Sequence, residues 1–484
     1  MDPVEQAEFC LPDLLDMSKP ALRAMQSQFT PYTVGELSNL IRFPSTASNP
    51  KAIDDTANRV VALMRDIAPA IAKVTKLKVN LPKGGESQPY VFGHWVQDKK
   101  LPTVLVYAHG DVQPADPTKW KSPPFEPTVR GGRLYGRGAT DNKSGIMNFL
   151  SALKALAAAG KLPVNVKFVV EAEEEVGSLG FATFCNEHPD KVKADAIMIA
   201  DAGSMFKGVP GLIASTRGSL VLDIKLEAIK TVVHSGIHGG PTPNAYWGMF
   251  QLLSKLTNDQ QQIIVPGIMD GVPPITEADE RRLAALGITA RDVARVAGLL
   301  PGVLRAGDPN VHPLFSLGRD AAIHAMNVVP SEPGIYSLPA SASATVGIRL
   351  APGMDPKRTF QLLEKYLQEN RPLNMRLTVE STYQGDGWMQ NTESAPFQDA
   401  SAILQHVYGS PGVQIVNSGG GMPLITQLTR INGAQTPVIF YGADEPGNNI
   451  HGHNESVSLK ILRDNVKATI YFLNSFGGGS LSRP

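Results

Sequence analysis

A set of histidine and carboxylate side chains in this sequence has the composition of a metal site. Its members are His109, Asp111, Asp141, Glu173, Glu174, Glu175, Asp201 and His451. Imidazole together with carboxylate suits zinc, or manganese or cobalt where oxygen ligands dominate. So many ligands exceed what one catalytic zinc takes, but they suit two ions that share a bridging carboxylate and activate a water between them. The set therefore predicts a hydrolytic centre with two divalent metal ions.

Four of the candidate positions follow segments that read as buried strands. These segments are 102–108 (PTVLVYA), 164–172 (VNVKFVVEA), 194–200 (ADAIMIA) and 436–441 (TPVIFY). His109 follows the first, the glutamate run follows the second, Asp201 ends the third, and His451 lies in the loop after the fourth. Ligands gather at the carboxyl ends of strands in open α/β sheets, so we expect these side chains to meet at one edge. Asp141 lies in the glycine-rich turn GRGATDNKSG.

Each candidate also has an ordinary structural interpretation. A single histidine or aspartate after a strand is commonly a loop or capping residue, and a run of glutamates is commonly a solvated surface. The pair His109-x-Asp111 is weak by itself. The whole set is specific, because chance would have to place ligand types at several strand ends. Asp111 lies two residues beyond His109, where it is expected to accept a hydrogen bond from the second ring nitrogen.

The elements that must position these residues alternate between strand and helix. Ile146, Leu150, Leu153 and Leu156 recur at helical spacing between the first two strands. Because such βαβ units build parallel sheets, the pattern predicts an α/β fold, with a mainly parallel sheet and helices on both faces.

A second domain is predicted within this fold. Segments 219–227 (SLVLDIKLE), 340–350 (ASASATVGIRL) and 375–381 (MRLTVES) alternate apolar and polar residues, as half-exposed strands do. Helical stretches such as Tyr246–Leu256 lie between them. We expect an inserted α+β domain with an antiparallel sheet at residues 214–388, and a catalytic domain formed by residues 1–213 and 389–484.

Composition limits the class of partner. The chain has 484 residues, and 45 Lys and Arg balance 45 Asp and Glu. This balance gives no general electrostatic reason to expect nucleic acid or an anionic membrane as partner. The acidic, proline-broken N-terminus does not read as a secretory signal, and no apolar stretch reaches the roughly 20 residues of a membrane span. Because Cys10 and Cys185 are too few for a disulfide framework, we expect free thiols and a cytoplasmic location.

The motifs, in this order, resemble the M20 family of metallopeptidases, which includes carboxypeptidase G2, aminoacylase, succinyl-diaminopimelate desuccinylase and the carnosinases. The resemblance extends from about residue 40 to residue 472 and rests on HGD, GRGATD and EEEVGS. Residues 109–145, HGDVQPADPTKWKSPPFEPTVRGGRLYGRGATDNKSG, look most like the carnosinase and cytosolic dipeptidase branch. The family implies a zinc-exopeptidase-like catalytic domain with an inserted lid and dimerisation domain.

The resemblance implies a ligand set for two metal ions. Asp141 would bridge the two ions. His109 and Asp201 would complete one site, and Glu175 and His451 would complete the other. Zinc is the metal expected first.

The resemblance also implies catalytic roles next to the ligands. Glu174 would be the general base and later the general acid, while Asp111 would orient His109. The frame EExGS leaves Glu173 without a role. The family's bridging aspartate precedes a cis peptide bond, so Asp141–Asn142 is expected to be cis.

Two lid residues match family positions. His234 in VVHSGIHGG corresponds to a histidine that reaches the partner subunit's active site in a homodimer and stabilises the oxyanion. Arg349 in GIRLAP corresponds to a lid arginine that contacts substrate. In the ordinary interpretation, His234 holds a glycine-rich turn and Arg349 is a surface cation on an exposed strand.

The chain departs from the branch at two places. Residues 141–145 read DNKSG, where the branch usually has a second aspartate and a glycine around the lysine. Residues 417–423 read NSGGGMP, where the branch has REGGSIP and its serine helps bind the substrate carboxylate. Gly421 stands in the place of that serine, and Asn417 replaces the arginine. Neither departure removes a metal ligand; the second bears on substrate specificity.

Three functions are compatible with this sequence. The first is a dipeptidase or exopeptidase that attacks the peptide bond with a metal-activated water. The second, kept open by the altered loop around Gly421, is an amidohydrolase of N-acyl amino acids or related small amides. The third is a metal-binding or scaffold protein that has lost catalysis, against which the presence of Glu174 and all the ligand types argues.

Overall fold

A computed structural model describes residues 10–332, 336–418 and 423–482. Among them the strands are β1 Ala72–Leu77, β2 Tyr90–Trp95, β3 Thr103–His109, β4 Thr128–Arg130, β5 Arg133–Tyr135, β6 Asn165–Glu171, β7 Ala196–Ala200, β8 Gly211–Thr216, β9 Gly218–Glu227, β10 Val233–His234, β11 Ala322–Pro330, β12 Ser337–Leu338, β13 Ser341–Leu350, β14 Arg376–Gly385, β15 Trp388–Met389, β16 Gln414–Ser418, β17 Val438–Tyr441 and β18 Ser456–Ser458.

The α-helices of the same residues are α1 Leu11–Gln28, α2 Gly35–Ile41, α3 Pro50–Arg65, α4 Lys143–Ala158, α5 Phe181–Glu187, α6 Pro189–Val192, α7 Ser235–His238, α8 Ala245–Ser254, α9 Glu277–Leu286, α10 Ala290–Val296, α11 Pro313–Arg319, α12 Pro356–Glu369, α13 Ala395–Tyr408, α14 Pro423–Asn432 and α15 Leu459–Gly477. A π-helical turn, Phe29–Val34, follows α1, and short 3-10 helices include Glu174–Val176. None of these helices has the length and apolarity needed to cross a bilayer.

The chain divides into two compact units. The first contains the described residues of Met1–Ala214, Gln390–Val416 and Gln427–Pro484, and the second contains those of Ser215–Met389 and Asn417–Thr426. Each unit has its own apolar cluster of buried residues.

The first unit is built on a six-stranded sheet in the order β1-β2-β6-β3-β7-β17. Strands β6, β3, β7 and β17 run parallel to one another, whereas β2 pairs antiparallel with β6 and β1 antiparallel with β2. The predicted α/β class with a mainly parallel sheet is therefore confirmed. The antiparallel pair at one edge was not predicted, because β1 is short and largely exposed.

Helices cover both faces of this sheet. Val104 and Val106 of β3 belong to the same apolar cluster as Ile146 and Leu150 of α4, and α1 and α15 pack against α4. On the opposite face, Tyr107 of β3 packs edge-to-face against Phe181 of α5, with ring centroids 5.7 Å apart. Because side chains alternate along β3, one set of its residues packs against the helices on one face and the other set packs against the helix on the opposite face.

The second unit carries an antiparallel sheet in the order β11-β13-β9-β14, against which α8 and α12 pack. Leu220, Leu222, Ile224 and Leu226 of β9 all lie in its apolar cluster. The residues between them are more exposed, so the predicted half-exposed strand is confirmed here.

Two details refine the sequence expectations. The C-terminal helix α15 begins at Leu459 and not earlier, because Ser456–Ser458 pairs with β5 as strand β18. The Ser458 side chain then accepts a hydrogen bond from Ile461 N–H and caps α15. Cys10 is exposed and Cys185 is buried, and both are free thiols as expected.

Candidate metal centre

The candidate ligands lie at one edge of the six-stranded sheet. His109 is the last residue of β3, and Asp201 directly follows β7. Glu174 and Glu175 form the turn after β6, and His451 lies in the loop after β17. Because these four strands are neighbours and parallel, their carboxyl ends meet, as the sequence predicted.

Asp141 directs its two carboxylate oxygens to two different groups of side chains. Its Oδ1 lies 3.0 Å from Nε2 of His109, and Oδ2 of Asp201 lies 3.7 Å from that same nitrogen. Its Oδ2 lies 2.9 Å from Nε2 of His451, which is 3.1 Å from Oε2 of Glu175. Within each group of three, the potential ligand atoms lie within 4.8 Å of one another. The two groups therefore adjoin and share one carboxylate.

The residue after Asp141 supports the first group. The Asp141–Asn142 peptide bond is cis, as predicted. Nδ2 of Asn142 donates to Oδ1 of Asp201 at 2.7 Å and to the carbonyl oxygen of Ala200 at 2.6 Å. An amide can make these contacts because it carries N–H donors, which an ionised aspartate lacks. Asn142 therefore orients Asp201.

The turn that carries Asp141 is held by Glu455, a fully buried carboxylate from the loop of His451. It accepts hydrogen bonds at 2.7–3.1 Å from Nη1 of Arg137 and from the N–H groups of Gly138, Thr140 and Asp141. Glu455 was not predicted as a site residue. Its position four residues after His451 was the available signal.

Asp111 contacts the ring nitrogen of His109 that faces away from the ligand groups. Nδ1 of His109 lies 3.3 Å from Oδ1 of Asp111 and 3.1 Å from the Asp111 carbonyl oxygen. Both side chains are buried. This contact leaves Nε2 of His109 directed at Asp141, the geometry of a ligand oriented by a partner behind it.

The carboxylate of Asp111 also holds the turn of Glu174 and Glu175. Its Oδ1 accepts from Glu174 N–H at 3.2 Å, and its Oδ2 accepts from Glu175 N–H at 3.0 Å. Gln113 donates to the Glu175 carboxylate from its backbone N–H at 3.1 Å and from Nε2 at 2.9 Å. These contacts fix Glu175. The Glu174 side chain is 28% exposed, with Oε2 4.0 Å from Nε2 of His109.

The electrostatics of the turn suit proton transfer. Burial raises the pKa of Glu174 to about 7; His109 opposes this rise, and the charges of Asp201 and Asp141 add to it. Burial, with the charge of Asp141, also raises the pKa of Glu175 to about 7. A carboxyl that titrates near neutrality can take up a proton and return it.

The charges of the two ligand groups fit divalent cations. Burial acts to raise the pKa of Asp141, but hydrogen bonds with His109 and His451 hold it below its ordinary value. The hydrogen bond with Asp141 raises the pKa of His451 to about 9. Several carboxylates are crowded together with the imidazoles, and bound cations would balance their negative charge. The donor set of nitrogen and oxygen atoms suits zinc or manganese.

Glu173, in contrast, belongs to neither ligand group among the described residues. It is 3% exposed, and its Oε1 accepts a hydrogen bond from the hydroxyl of Tyr90 at 2.7 Å. The sequence offered no way to assign this contact, because Tyr90 lies on another strand.

The remaining candidates lie in the second unit. His234 is exposed at the end of β10, and its Nδ1 accepts from Gly236 N–H at 3.1 Å, so it does hold a glycine-rich turn. Gly421 lies outside the described residues.

Arg349, on β13, has cationic neighbours. Burial lowers the pKa of Arg217 and of His324, and the charge of Arg349 also acts to lower both. The charge of Arg217 lowers the pKa of His324 further. His324 lies at an irregularity of the β11–β13 pairing, where bulges commonly redirect a side chain. Nε of Arg217 is buried without a hydrogen-bond partner among the described residues. The second unit thus places two arginines, Arg217 and Arg349, near each other, with Asp320 beside Arg217.

The sequence profile of the peptidase family M20/M25/M40 matches residues 105–475. The chain belongs to this family. The match includes every candidate ligand and both lid candidates, and membership makes the protein a metal-dependent peptidase, as the motifs predicted.

Characterised relatives are dipeptidases by name. The cysteinylglycine-S-conjugate dipeptidase of Corynebacterium striatum is 28% identical over 380 residues, which cover 78% of this chain and 81% of the relative. The human β-Ala-His dipeptidase is 28% identical over 383 residues, with 76% and 74% covered.

Solved structures share the fold. The dipeptidase Dug1p of Saccharomyces cerevisiae superposes with a TM-score of 0.74 at 22% identity, covering 95% of this chain and 98% of the other. The M20 metallo-carboxypeptidase Sso-CP2 of Sulfolobus solfataricus gives a TM-score of 0.75 at 24% identity, with 92% and 99% covered. The fold is therefore that of M20 peptidases.

Proposed function

We propose that this M20 peptidase is a dipeptidase or exopeptidase that hydrolyses small peptides at a centre of two divalent metal ions. The observation that carries the proposal is the two-sided carboxylate of Asp141, with one oxygen toward each ligand group and Glu174 beside them. The dipeptidase names of relatives that align over three quarters of the chain support a small peptide substrate.

Five residues would hold the metal ions. His109, Asp141 and Asp201 form one group, and Asp141, Glu175 and His451 form the other. Zinc is the metal proposed first, and manganese or cobalt would suit the same oxygen-rich set. When bound, the two ions lower the pKa of the attacking water and polarise the substrate carbonyl.

The chain's own residues would then manage the proton. Glu174, which lies beside His109 and whose side chain is partly exposed, would take the proton of the attacking water. It would return that proton to the leaving amine. Asp111 holds the backbone of this turn. The side chain of Glu174 can therefore turn from the attacking water to the leaving amine while its main chain stays fixed.

The lid residues complete the proposal. We propose that His234 stabilises the oxyanion and that Arg349 binds a carboxylate of the substrate, within a homodimer formed through the second unit. The nearness of a second arginine, Arg217, to Arg349 supports an anionic group as its partner. The cytoplasmic location inferred from the sequence stays a prediction.

A second candidate is an amidohydrolase of N-acyl amino acids or related amides. It is supported by residues 417–423, where the serine and arginine of the carnosinase branch are replaced by Gly421 and Asn417. Both activities release a free amine, and they differ in whether the substrate has a free amino terminus.

A substrate panel separates the candidates. The protein, loaded with zinc, manganese or cobalt, is incubated with dipeptides and with N-acyl amino acids that share the same C-terminal residue, and released amines are read by mass spectrometry. Cleavage of the dipeptides alone supports the dipeptidase, and cleavage of the N-acyl compounds alone supports the second candidate. If no substrate is cleaved faster than by the Glu174→Gln variant, the protein is the non-catalytic metal binder instead.

A further inference from the structure

The run of three glutamates contains one residue that the ligand groups do not use. Glu173 immediately precedes Glu174 and Glu175, yet its carboxylate is buried and turned to the opposite side of their turn. A buried carboxylate is costly unless donors surround it, so its partners must be specific.

Three donors converge on Glu173. Oε1 accepts from the hydroxyl of Tyr90 at 2.7 Å and from Gly180 N–H at 2.6 Å. Oε2 accepts from Gln88 N–H at 3.1 Å. Tyr90 begins β2 and Gly180 is the N-cap residue of α5, so one side chain ties the start of this turn to the neighbouring strand and to the helix that follows. A glutamine at position 173 would direct its own N–H group toward one of these donors, so that a donor would face a donor.

The space around this carboxylate is closed. A Cβ atom on Gly180 would lie 2.7 Å from Oε1 of Glu173 and 2.8 Å from Cβ of Ser87. The ring of Tyr90 stacks on Phe184 with centroids 4.5 Å apart, which fixes the hydroxyl. The carboxylate of Glu173 therefore has one position available.

We propose that Glu173 is a positioning residue for the catalytic turn. The turn is held between two buried carboxylates: Asp111 binds the N–H groups of Glu174 and Glu175, and Glu173 binds the donors that lie beyond the turn. Asp111 also contacts His109, so it acts on both ligand groups. Glu173 contacts neither group and acts only through the turn, that is, through Glu174 and Glu175.

This difference gives a distinctive expectation for Glu173→Gln. The group of Asp141, Glu175 and His451 loses metal affinity, and the group of His109, Asp141 and Asp201 keeps it. Changes in residues behind metal ligands typically cost about 10- to 100-fold in affinity or activity. We expect a loss of this size in kcat, with KM within about twofold, because Glu174 is displaced while substrate binding is not.

The test uses Co²⁺ alone as the probe, titrated into metal-free protein and followed by its visible absorption. Wild type is expected to take up two ions, and Glu173→Gln one tightly and one weakly. Gly180→Ala, which displaces the same carboxylate, should reproduce the result. Asp399→Asn, a change of another buried carboxylate in the same unit, is the matched control and should keep both Co²⁺ affinities even where its melting temperature falls.

Several outcomes would overturn the proposal. The proposal is wrong if the folded Glu173→Gln variant keeps the Co²⁺ affinities and the kcat of the wild type. It is also wrong if the variant loses Co²⁺ affinity equally at both metal positions. If Glu173→Gln and Gly180→Ala do not fold, Tyr90→Phe removes one donor only and should show a smaller loss in the same direction; unchanged affinities there count against the role. This inference rests on the proposed function: the titration rests on its two metal positions, and the kinetic part rests on its peptidase activity. A wild-type protein that binds Co²⁺ but cleaves no peptide refutes the proposed function and still permits the titration.

Discussion

Oδ1 of Asp111 accepts a hydrogen bond from the backbone N–H of Glu174 at 3.2 Å. The residue that orients a histidine ligand therefore also fixes the main chain of the proposed general base. Sequence motifs present HxD and EExGS as separate signatures, but in the folded protein the aspartate of the first is a structural part of the second.

Asp111→Asn is predicted to damage both functions at once. The amide cannot accept from the two N–H groups of the turn as the carboxylate does, and it weakens the contact with Nδ1 of His109. We expect kcat to fall about 10- to 100-fold and both metal affinities to fall with it. Steady-state kinetics and metal titration check this. Asp116→Asn, on the exposed part of the same loop, should behave as wild type. A variant at 111 with unchanged affinities would contradict the prediction.

Glu174→Gln is predicted to abolish turnover and to leave metal content nearly intact. The amide keeps the shape of the side chain but cannot take the proton, so the loss should be that of a general base, roughly 100- to 10,000-fold in kcat. Glu175→Gln is the comparison variant, and it should instead weaken one metal position. Elemental analysis and kinetics on the same preparations measure both. Should Glu174→Gln keep the wild-type rate, the general base lies elsewhere.

Two metal ions are predicted to bind per chain, because Asp141 faces two ligand groups with separate oxygens. Dialysis against a chelator should remove activity, and zinc should restore it when two equivalents have been added. Asp141→Asn should lower affinity at both positions, whereas Asp201→Asn should lower it at one. A stoichiometry that stays at one under metal excess would refute the bridging role.

Glu455→Gln is predicted to loosen the turn of Asp141 without removing any ligand. Glu455 is paired with Arg137 and accepts from three backbone N–H groups, so an amide would face donors on each side. Breaking one partner of a buried ion pair typically costs about 3–5 kcal/mol of stability. Thermal unfolding should show this loss, and metal titration should show weaker binding at both positions. Lys365→Gln, which breaks an exposed pair with Glu369, is the control and should change stability by less than about 1 kcal/mol.

His234 is predicted to act across a homodimer. His234→Ala should lower kcat far more than it changes metal content, because the residue lies outside both ligand groups. Mixing Glu174→Gln with His234→Ala should restore activity, since one site of a mixed two-fold dimer would have both an intact Glu174 and a partner's His234. Subunit exchange is verified first with differently tagged chains. Exchange without recovered activity would mean that His234 acts within its own chain or not at all.

The strands that carry the ligands could be predicted because their sequences are short apolar runs with β-branched residues. Segments 102–108 and 164–172 are examples, and the strands β3 and β6 that they form end at His109 and Glu171, which are polar and buried. Strand β1 was missed because its exposed residues break the apolar pattern, whereas the missed strand β2 is mostly buried but carries Gly93 and His94 within its apolar run.

The supporting carboxylates could not be predicted in the same way. Glu173 and Tyr90 are 83 residues apart in the chain, and Glu455 and Arg137 are 318 apart. A sequence states which residues are acidic, but burial of an acid depends on donors that only the folded chain brings together. The domain boundaries and the roles of Arg349 and Gly421 remain predictions.

The parallel pairing of β17 with β7 has a consequence for how the centre comes into being. His109, Asp141, Glu175 and Asp201 all precede the second unit in the chain, and β17 and His451 follow it. As the ribosome extends the chain, the residues of the group of His109, Asp141 and Asp201 are made early, whereas the other group lacks His451 until the inserted unit has been made. Since domains tend to fold as units during synthesis, and the first unit includes Glu455 and the helix α15, both ligand groups await the last part of the chain. Hydrolytic competence is thereby delayed until the last part of translation.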